Sequence, residues 1–280
     1  MITTTAFFDG STSTFSYIIF DPKSRDAVII DPVLDYEPIS STVSFVSINR
    51  LRDYIHKNEL NIRMILDTHV HADHMTGAYY LKNYFNAPNA IGENFVVSQA
   101  YFAKIFELEK INYAYDILLK NNQEINAGNI NIKILLTPGH TPSCASYLID
   151  NSLFVGDALF QPERGCGRAD FPGGSAQELY KSIKNIIYNL PDNTKIYVGH
   201  DYPQAQEDPK FSCSVGESKQ KNIMLDNLIS EEEFIQKRAQ KDQNLQPPRL
   251  LLPAMQVNIM GGRLPERFLR LPLTLINSNS

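Results

Sequence analysis

The strongest constraint on this chain is a cluster of metal-ligating side chains placed directly after an apolar run. Ile62 to Leu66 (IRMIL) has the length and composition of a buried strand. It leads into Asp67-Thr68-His69-Val70-His71-Ala72-Asp73-His74, so three imidazoles and a carboxylate, His69, His71, Asp73 and His74, fall within six residues. Neutral imidazoles and carboxylates are good ligands for zinc and ferrous iron. Held together in a core without a cation, they would be buried polar groups lacking partners.

The arrangement recurs. Ile130, Ile132, Ile134 and Leu136 alternate with strand periodicity and end in Thr137-Pro138-Gly139-His140-Thr141. Ser146 to Ile149 and Leu153 to Val155 are further strands, and the second ends at Gly156-Asp157. Ile196 to Val198 delivers Gly199-His200-Asp201. Loops held by a rigid sheet are where catalytic groups are commonly placed. Five of the six histidines lie in these loops, and the sixth, His56, sits on a predicted helix and reads as ordinary. Four strand ends with the same habit argue for a shared metal site over unconnected surface histidines.

The rest of the chain reads as layers. Phe15 to Phe20 and Ala27 to Ile30 are short strands, the second stopped by Asp31-Pro32. Helical spacing marks Ile48, Leu51, Tyr54 and Ile55, and again Leu179, Ile183, Ile186, Ile187 and Leu190. Further helices are expected over about 76–84 and 94–108. A hairpin joins 123–125 to the strand from Ile130, and a capping box at Ser230 and Glu233 starts a helix reaching about Arg238. With no low-complexity linker, residues 1–280 read as one domain, and 241–280, rich in proline, as an irregular segment packed on it.

Composition limits the partners. The net charge of -5 and the lack of a basic run give no electrostatic reason for nucleic acid or an anionic membrane. Cys144, Cys166 and Cys213 form no CxxC and no disulfide framework, which fits a reducing cytoplasm. Met1 to Gly10 has neither the charge nor the apolar length of a signal peptide or membrane span.

Taken in order, THVHADHMTGA (68–78), TPGHTPSC (137–144), GDALF (156–160) and GHDY (199–202) resemble the metallo-β-lactamase superfamily. With DPVLD (31–35) and GCGRADF (165–171), the chain is most similar to the persulfide dioxygenases, or β-lactamase-like hydrolases, close to glyoxalase II. The resemblance covers about Phe15 to Pro265. It implies an α+β fold, an αββα four-layer sandwich of two mixed β-sheets flanked by helices, with the metal at the sheets' edge. It also implies one Fe(II) per chain held by His69, His140 and Asp157, a 2-His-1-carboxylate set with open positions. The implied reaction converts glutathione persulfide and O2 to sulfite and glutathione in sulfide detoxification. The alternative is a hydroxyacylglutathione (thioester) hydrolase with two Zn(II), in which His71, Asp73, His74 and His200 complete a second metal site. In the one-iron reading those residues orient ligands and waters. Dimers are common among such proteins, so a homodimer is a further expectation.

Other residues carry less specific signals. His200, Tyr202 and Arg168 are candidate catalytic groups, although Tyr202 reads equally as structural and Arg168 as half of an ion pair with Asp170. Cys166 lies in the same glycine-rich loop and is a candidate substrate contact rather than a nucleophile. Lys219, Lys221, Asn222 and Arg249 are candidates to hold substrate carboxylates, with solvated surface as the plainer reading. Gln161 to Arg164 looks like an insertion, and Ala169 stands where many relatives carry threonine. Ala87 to Leu119 is longer than in compact relatives, and its apolar positions suit the core, the site mouth or a subunit interface.

Overall fold

The computed structural model describes residues 2–108, 111 and 114–272. The first half of the chain supplies β1 (Thr3–Asp9), β2 (Thr14–Phe20), β3 (Asp26–Ile30), β4 (Val33–Glu37), β5 (Thr42–Ser44), β6 (Asn61–Leu66), β7 (Met75–Thr76), β8 (Asn89–Gly92) and β9 (Ile117–Leu119). The second half supplies β10 (Glu124–Ala127), β11 (Ile130–Leu136), β12 (Ala145–Ile149), β13 (Ser152–Phe154), β14 (Lys195–Tyr197) and β15 (Ser212–Ser214). One sheet has the order β1-β2-β3-β6-β8-β9, antiparallel at β1-β2-β3 and parallel beyond. The other runs β10 to β15 in sequence order, antiparallel except for the parallel β13–β14 pair. β4 pairs with β5 and β7 in a small third sheet.

β2 is buried along its whole length because it is covered on both faces. Ile18, Phe20, Ala27 and Ile29 face α1 (Val46–Lys57) and α2 (Ala78–Phe85), packing with Ile48, Leu51, Ile55 and Leu81. Phe15, Tyr17, Ile19, Val28 and Ile30 face the second sheet and meet Ile130, Ile132, Ile134, Tyr147 and Phe154. The period-two alternation of a strand sorts these residues into two layers. The outer face of the second sheet is covered by Leu179 of α4 (Ala176–Lys181), by Ile183 and Ile187 of the π-helical turn that continues it (Ser182–Ile187), and by Phe234. The four-layer order expected from the resemblance is the one that forms.

α3 (Phe95–Ile105) buries Phe95 and Phe102 and leaves Val96, Val97 and Tyr101 about half exposed. Residues 109, 110, 112 and 113 of the long segment lie outside the described part. α5 (Val215–Lys221) follows β15. The capping box at Ser230 and Glu233 forms as expected and starts α6 (Glu231–Asp242), one turn longer than read from sequence. One expectation is corrected. The segment from residue 241 is not irregular throughout, because α7 (Leu251–Asn258) lies within it and buries Pro253 to Asn258. Pro253 sits in the first helical turn, where the backbone N–H groups have no intrahelical acceptor, so the proline interrupts nothing. Residues 273–280 of that segment lie outside the described part. Among the described residues no helix is long and apolar enough to cross a membrane.

Backbone hydrogen bonds stitch the strand ends to one another. Ala145 N–H donates to Thr68 O (2.8 Å), Gly199 N–H to Gly156 O (3.0 Å), and Phe15 N–H to Gly199 O (2.8 Å). The loop of His140 is pressed under α4. Gly139 has φ 142°, and a Cβ there would lie 2.3 Å from the backbone N of Leu179. Gly139→Ala is therefore expected to destabilise the protein by about 1–3 kcal/mol. Gly10→Ala, with nothing within 4 Å of the added carbon, is expected to stay within about 0.5 kcal/mol. Urea unfolding midpoints compare the two, and equal midpoints would contradict the close helix–loop contact.

Candidate metal centre

His69 and His71 follow β6, His140 follows β11, Asp157 follows β13, and His200 follows β14. The fold brings them together. One ligand atom from each of His69, His140 and Asp157 lies within 4.8 Å of the others, and all three residues are buried. Asp157 Oδ2 is 3.6 Å from His140 Nε2 and 3.9 Å from His69 Nε2. Its other oxygen, Oδ1, is 3.4 Å from His200 Nε2. His71, Asp73 and His74 make a second convergent group, and Asp73 Oδ2 reaches His200 Nε2 at 3.3 Å.

Hydrogen bonds set the tautomers. His140 Nδ1 lies 2.7 Å from the carbonyl of Arg168 and His200 Nδ1 lies 3.0 Å from that of Ser13. A carbonyl only accepts, so both nitrogens carry the proton. The Thr68 hydroxyl donates to Asp31 Oδ2 (2.8 Å) and so accepts from His69 Nδ1 (3.0 Å). His71 Nε2 donates to Asp31 Oδ1 (3.0 Å), and His74 Nδ1 donates to Asp73 Oδ2 (3.1 Å). Each of the five imidazoles thus engages one nitrogen in an outer hydrogen bond and leaves the other to the site.

The remaining atoms test whether a metal fits. His69 Nε2, His71 Nδ1, His74 Nε2 and Asp157 Oδ1 are buried without a hydrogen-bond partner. Such atoms are rare in folded proteins because each costs about 1–3 kcal/mol. Imidazole lone pairs facing a carboxylate oxygen repel it unless a proton or cation lies between. Each imidazole also has the outer hydrogen bond that metal-bound histidines almost always make. The residues fit a divalent cation.

Electrostatics agree. Burial pushes His69 and His71 well below the ordinary imidazole value, and neighbouring imidazoles reinforce the shift. Burial opposes a charge on His200 and His74 too, yet Asp157 and Asp73 outweigh it at His200, and Asp73 does so at His74, and both are raised. Partial burial disfavours charge on Asp73, but His200 and His74 outweigh it and hold Asp73 well below the carboxylate range. Excess carboxylate in the site draws protons onto imidazoles, and bound metal would displace them. Behind the site, burial lifts Asp31 to about 6 against the hydrogen bonds from Thr68. Asp67 rises to about 7 through burial and repulsion from Asp31, tempered by Tyr115 and Thr76.

The centre opens into a cavity of about 660 Å³. Asp73, His140, Asp157 and His200 form its floor, Phe160, Phe171, Cys166 and Tyr202 its walls, and Arg164, Lys241 and Arg249 its cationic lining. Tyr202 stacks on His200 at 5.9 Å with the rings 7° apart. The Arg168 guanidinium is engaged by Asp170 (2.6 and 2.7 Å) and by Gln246 O, so its contribution to His140 comes from its backbone carbonyl. Burial pushes the Cys166 thiol up despite nearby Arg238. Three substrate candidates are not brought to this cavity. Lys219 is paired with Asp192 (2.6 Å), Lys221 with Glu217 (3.1 Å), and Asn222 is buried, donating to Gly165 O and capping Met224 and Leu225.

Sequence reading gave no role to Asp31, although DPVLD drew notice, and none to Arg238 and Asp242. Arg238 is fully buried on α6 and donates to Cys166 O (3.1 Å) and Gly167 O (3.3 Å) while pairing with Asp242 (2.6 Å). Asp242 in turn accepts from Ala169 N–H (3.0 Å). The pair clamps the loop whose next carbonyl orients His140. On the sequence, Arg238 and Asp242 look like one more i,i+4 surface pair, and nothing local marks them.

A family model described as Metallo-beta-lactamase superfamily matches residues 10–200. Glyoxylase B2 of Dictyostelium discoideum is 38% identical over 276 residues, covering 94% of both chains. Human Persulfide dioxygenase ETHE1, mitochondrial, is 32% identical over 260 residues, 91% of this chain and 87% of the relative. The crystal structure of ETHE1 from Myxococcus xanthus superposes with a TM-score of 0.76 at 31% identity, covering 93% of this chain and all of that one. The chain spans only 65% of the length of the Beta-lactamase hydrolase-like protein of Agrobacterium fabrum that it matches at 37% identity. The chain belongs to the metallo-β-lactamase superfamily and is a relative, within it, of the persulfide dioxygenases and β-lactamase hydrolase-like proteins.

Proposed function

We propose that this chain is a persulfide dioxygenase working with one ferrous iron. The observation that carries this reading is the ligand set: His69, His140 and Asp157 meet beside a cavity of about 660 Å³, a volume suited to a small thiol. Two imidazoles and one carboxylate leave open positions on an iron, the pattern of non-haem oxygenases. Bound there, Fe(II) would supply open coordination positions and the redox chemistry of O2. The balanced reaction takes glutathione persulfide, O2 and water to glutathione, sulfite and two protons.

The chain's own groups have separable roles in this proposal. The carbonyl of Arg168 and the Thr68 hydroxyl hold the Nδ1 protons of His140 and His69, keeping both Nε2 lone pairs on the site. His200, between Asp73 and Asp157, is placed to take up and return a proton at Nε2 beside the reacting sulfur. Phe160, Phe171 and Tyr202 limit water at the centre. Arg249 and Lys241, on the same cavity wall, receive the carboxylates of the thiol. Three free, buried cysteines support a reducing setting such as the cytoplasm, with sulfide detoxification as the role.

One observation favours a second reading. The two oxygens of Asp157 face different imidazoles, and Asp73, His74 and His200 stand ready on the Oδ1 side. That is the layout for two Zn(II) and a thioester hydrolase, in which a metal-activated water attacks the carbonyl.

Metal analysis of protein expressed without added metal, paired with O2 uptake on glutathione persulfide, separates the two readings. The dioxygenase should hold about one iron per chain and consume O2. Zinc or a metal pair, with thioester hydrolysis and no uptake, would overturn it. His69→Ala, His140→Ala and Asp157→Ala should each lose iron and uptake together, and full iron retention in any of them would remove that residue from the ligand set. His200→Ala should lower turnover at least ~10-fold while keeping most of its iron. Parallel loss of both would make His200 a ligand.

A further inference from the structure

The His71–Thr76 turn carries Asp73 and His74, and what holds it is remote in sequence. Asn258, the last residue of α7, has no exposed surface. Its side-chain amide donates to the carbonyls of His71 and His74, both at 2.8 Å, and accepts from Thr76 N–H at 2.8 Å. One planar group therefore joins three backbone points on either side of Asp73 and uses both N–H bonds and the carbonyl oxygen. No other amino acid offers two donors and an acceptor at this reach: aspartate lacks the donors, and glutamine places them one methylene further out.

α7 itself is fixed from other directions. Gln99 on α3 donates to Ile259 O (2.8 Å), and Met255 and Val257 lie in two different core clusters. The turn after α7 comes so close to the same loop that a Cβ on Gly262 would sit 2.7 Å from Thr76 O. Asn258 is not among the residues lining the cavity, and both N–H bonds and the oxygen of its amide are taken by the turn, so it acts through the loop and not as a ligand.

We infer that Asn258 is a positioning residue for the metal centre: by tying His71, His74 and Thr76 to α7 it determines where the His71, Asp73 and His74 side chains point. This role does not depend on the substrate: His71, Asp73 and His74 are ligands in the two-metal reading and orient ligands and waters in the one-iron reading.

The test uses the full chain freed of metal and titrated with Co2+ alone against a competing chelator. The visible absorption of Co2+ reports ligand geometry, and urea unfolding of the metal-free protein is measured alongside. Asn258→Asp keeps size and shape but turns a carboxylate oxygen toward two carbonyls. Asn258→Ser removes the cross-link and leaves room for water. Ile55→Ala, in the core under α1, serves as a control that destabilises without removing any hydrogen bond of the loop. Both Asn258 variants should weaken Co2+ binding at least ~10-fold and change its absorption, while Ile55→Ala keeps wild-type affinity and spectrum. Wild-type affinity and spectrum in the Asn258 variants would overturn the inference. So would an equal loss of affinity in Ile55→Ala, since the effect would then be general destabilisation. Should Asn258→Asp fail to fold, Asn258→Ser decides alone.

Discussion

The structure turns on Asp157, a buried carboxylate with imidazoles on both of its oxygens. His140 and His69 face Oδ2, and His200 faces Oδ1, at 3.4–3.9 Å. At these distances the groups are too far apart for good hydrogen bonds and too close for unshielded lone pairs. The protein has already assigned the opposite nitrogen of every ring to a carbonyl, a hydroxyl or a carboxylate. What remains unsatisfied gathers in two adjoining groups, His69 with His140 and Asp157 and His71 with Asp73 and His74, where a bound cation would satisfy it.

Such a cluster is costly to assemble, and the scaffold explains how it is held. The two sheets bring four strand ends to one edge, and backbone hydrogen bonds join those ends directly. Close contacts then fix the loops: Gly139 lies under α4, and a Cβ on Gly156 would fall 2.3 Å from the Thr68 hydroxyl that orients His69. The C-terminal helices add a second tier. Arg238 and Asp242 of α6 clamp the loop that orients His140, and α7 backs the His71–Thr76 turn. The metal site is thus built from both ends of the chain.

The mouth of the cavity is more exposed. Tyr202 is half exposed, and Lys241, at the end of α6, and Arg249, beyond it, are exposed residues that line the cavity. Arg164, in the apparent insertion, is drawn toward Asp201 (3.3 Å) on the same rim. The candidate metal centre is therefore held by buried hydrogen bonds, while the rim is lined by more exposed side chains.

What the sequence determined by itself was the part written in local pattern. Alternating apolar residues at Ile130 to Leu136, apolar runs at Phe15 to Phe20 and Ile62 to Leu66, and a histidine or aspartate after four of the strands announced layered sheets and a shared metal site, while the four-layer order with the metal at the sheets' edge was implied by the family resemblance. Those signals are local because a strand's faces and its end are set by neighbouring residues. The prolines at 247, 248 and 253 concealed α7, since a proline in a first turn looks the same in sequence as a breaker. Only the tertiary structure decided the rest. It separated Lys219, Lys221 and Asn222 from the cavity, gave Asp31 to Thr68 and His71, and buried Arg238 and Asn258 against loops far away in the chain. A hydrogen bond between residues nearly two hundred positions apart leaves no periodicity to read. It exists only once the layers have packed.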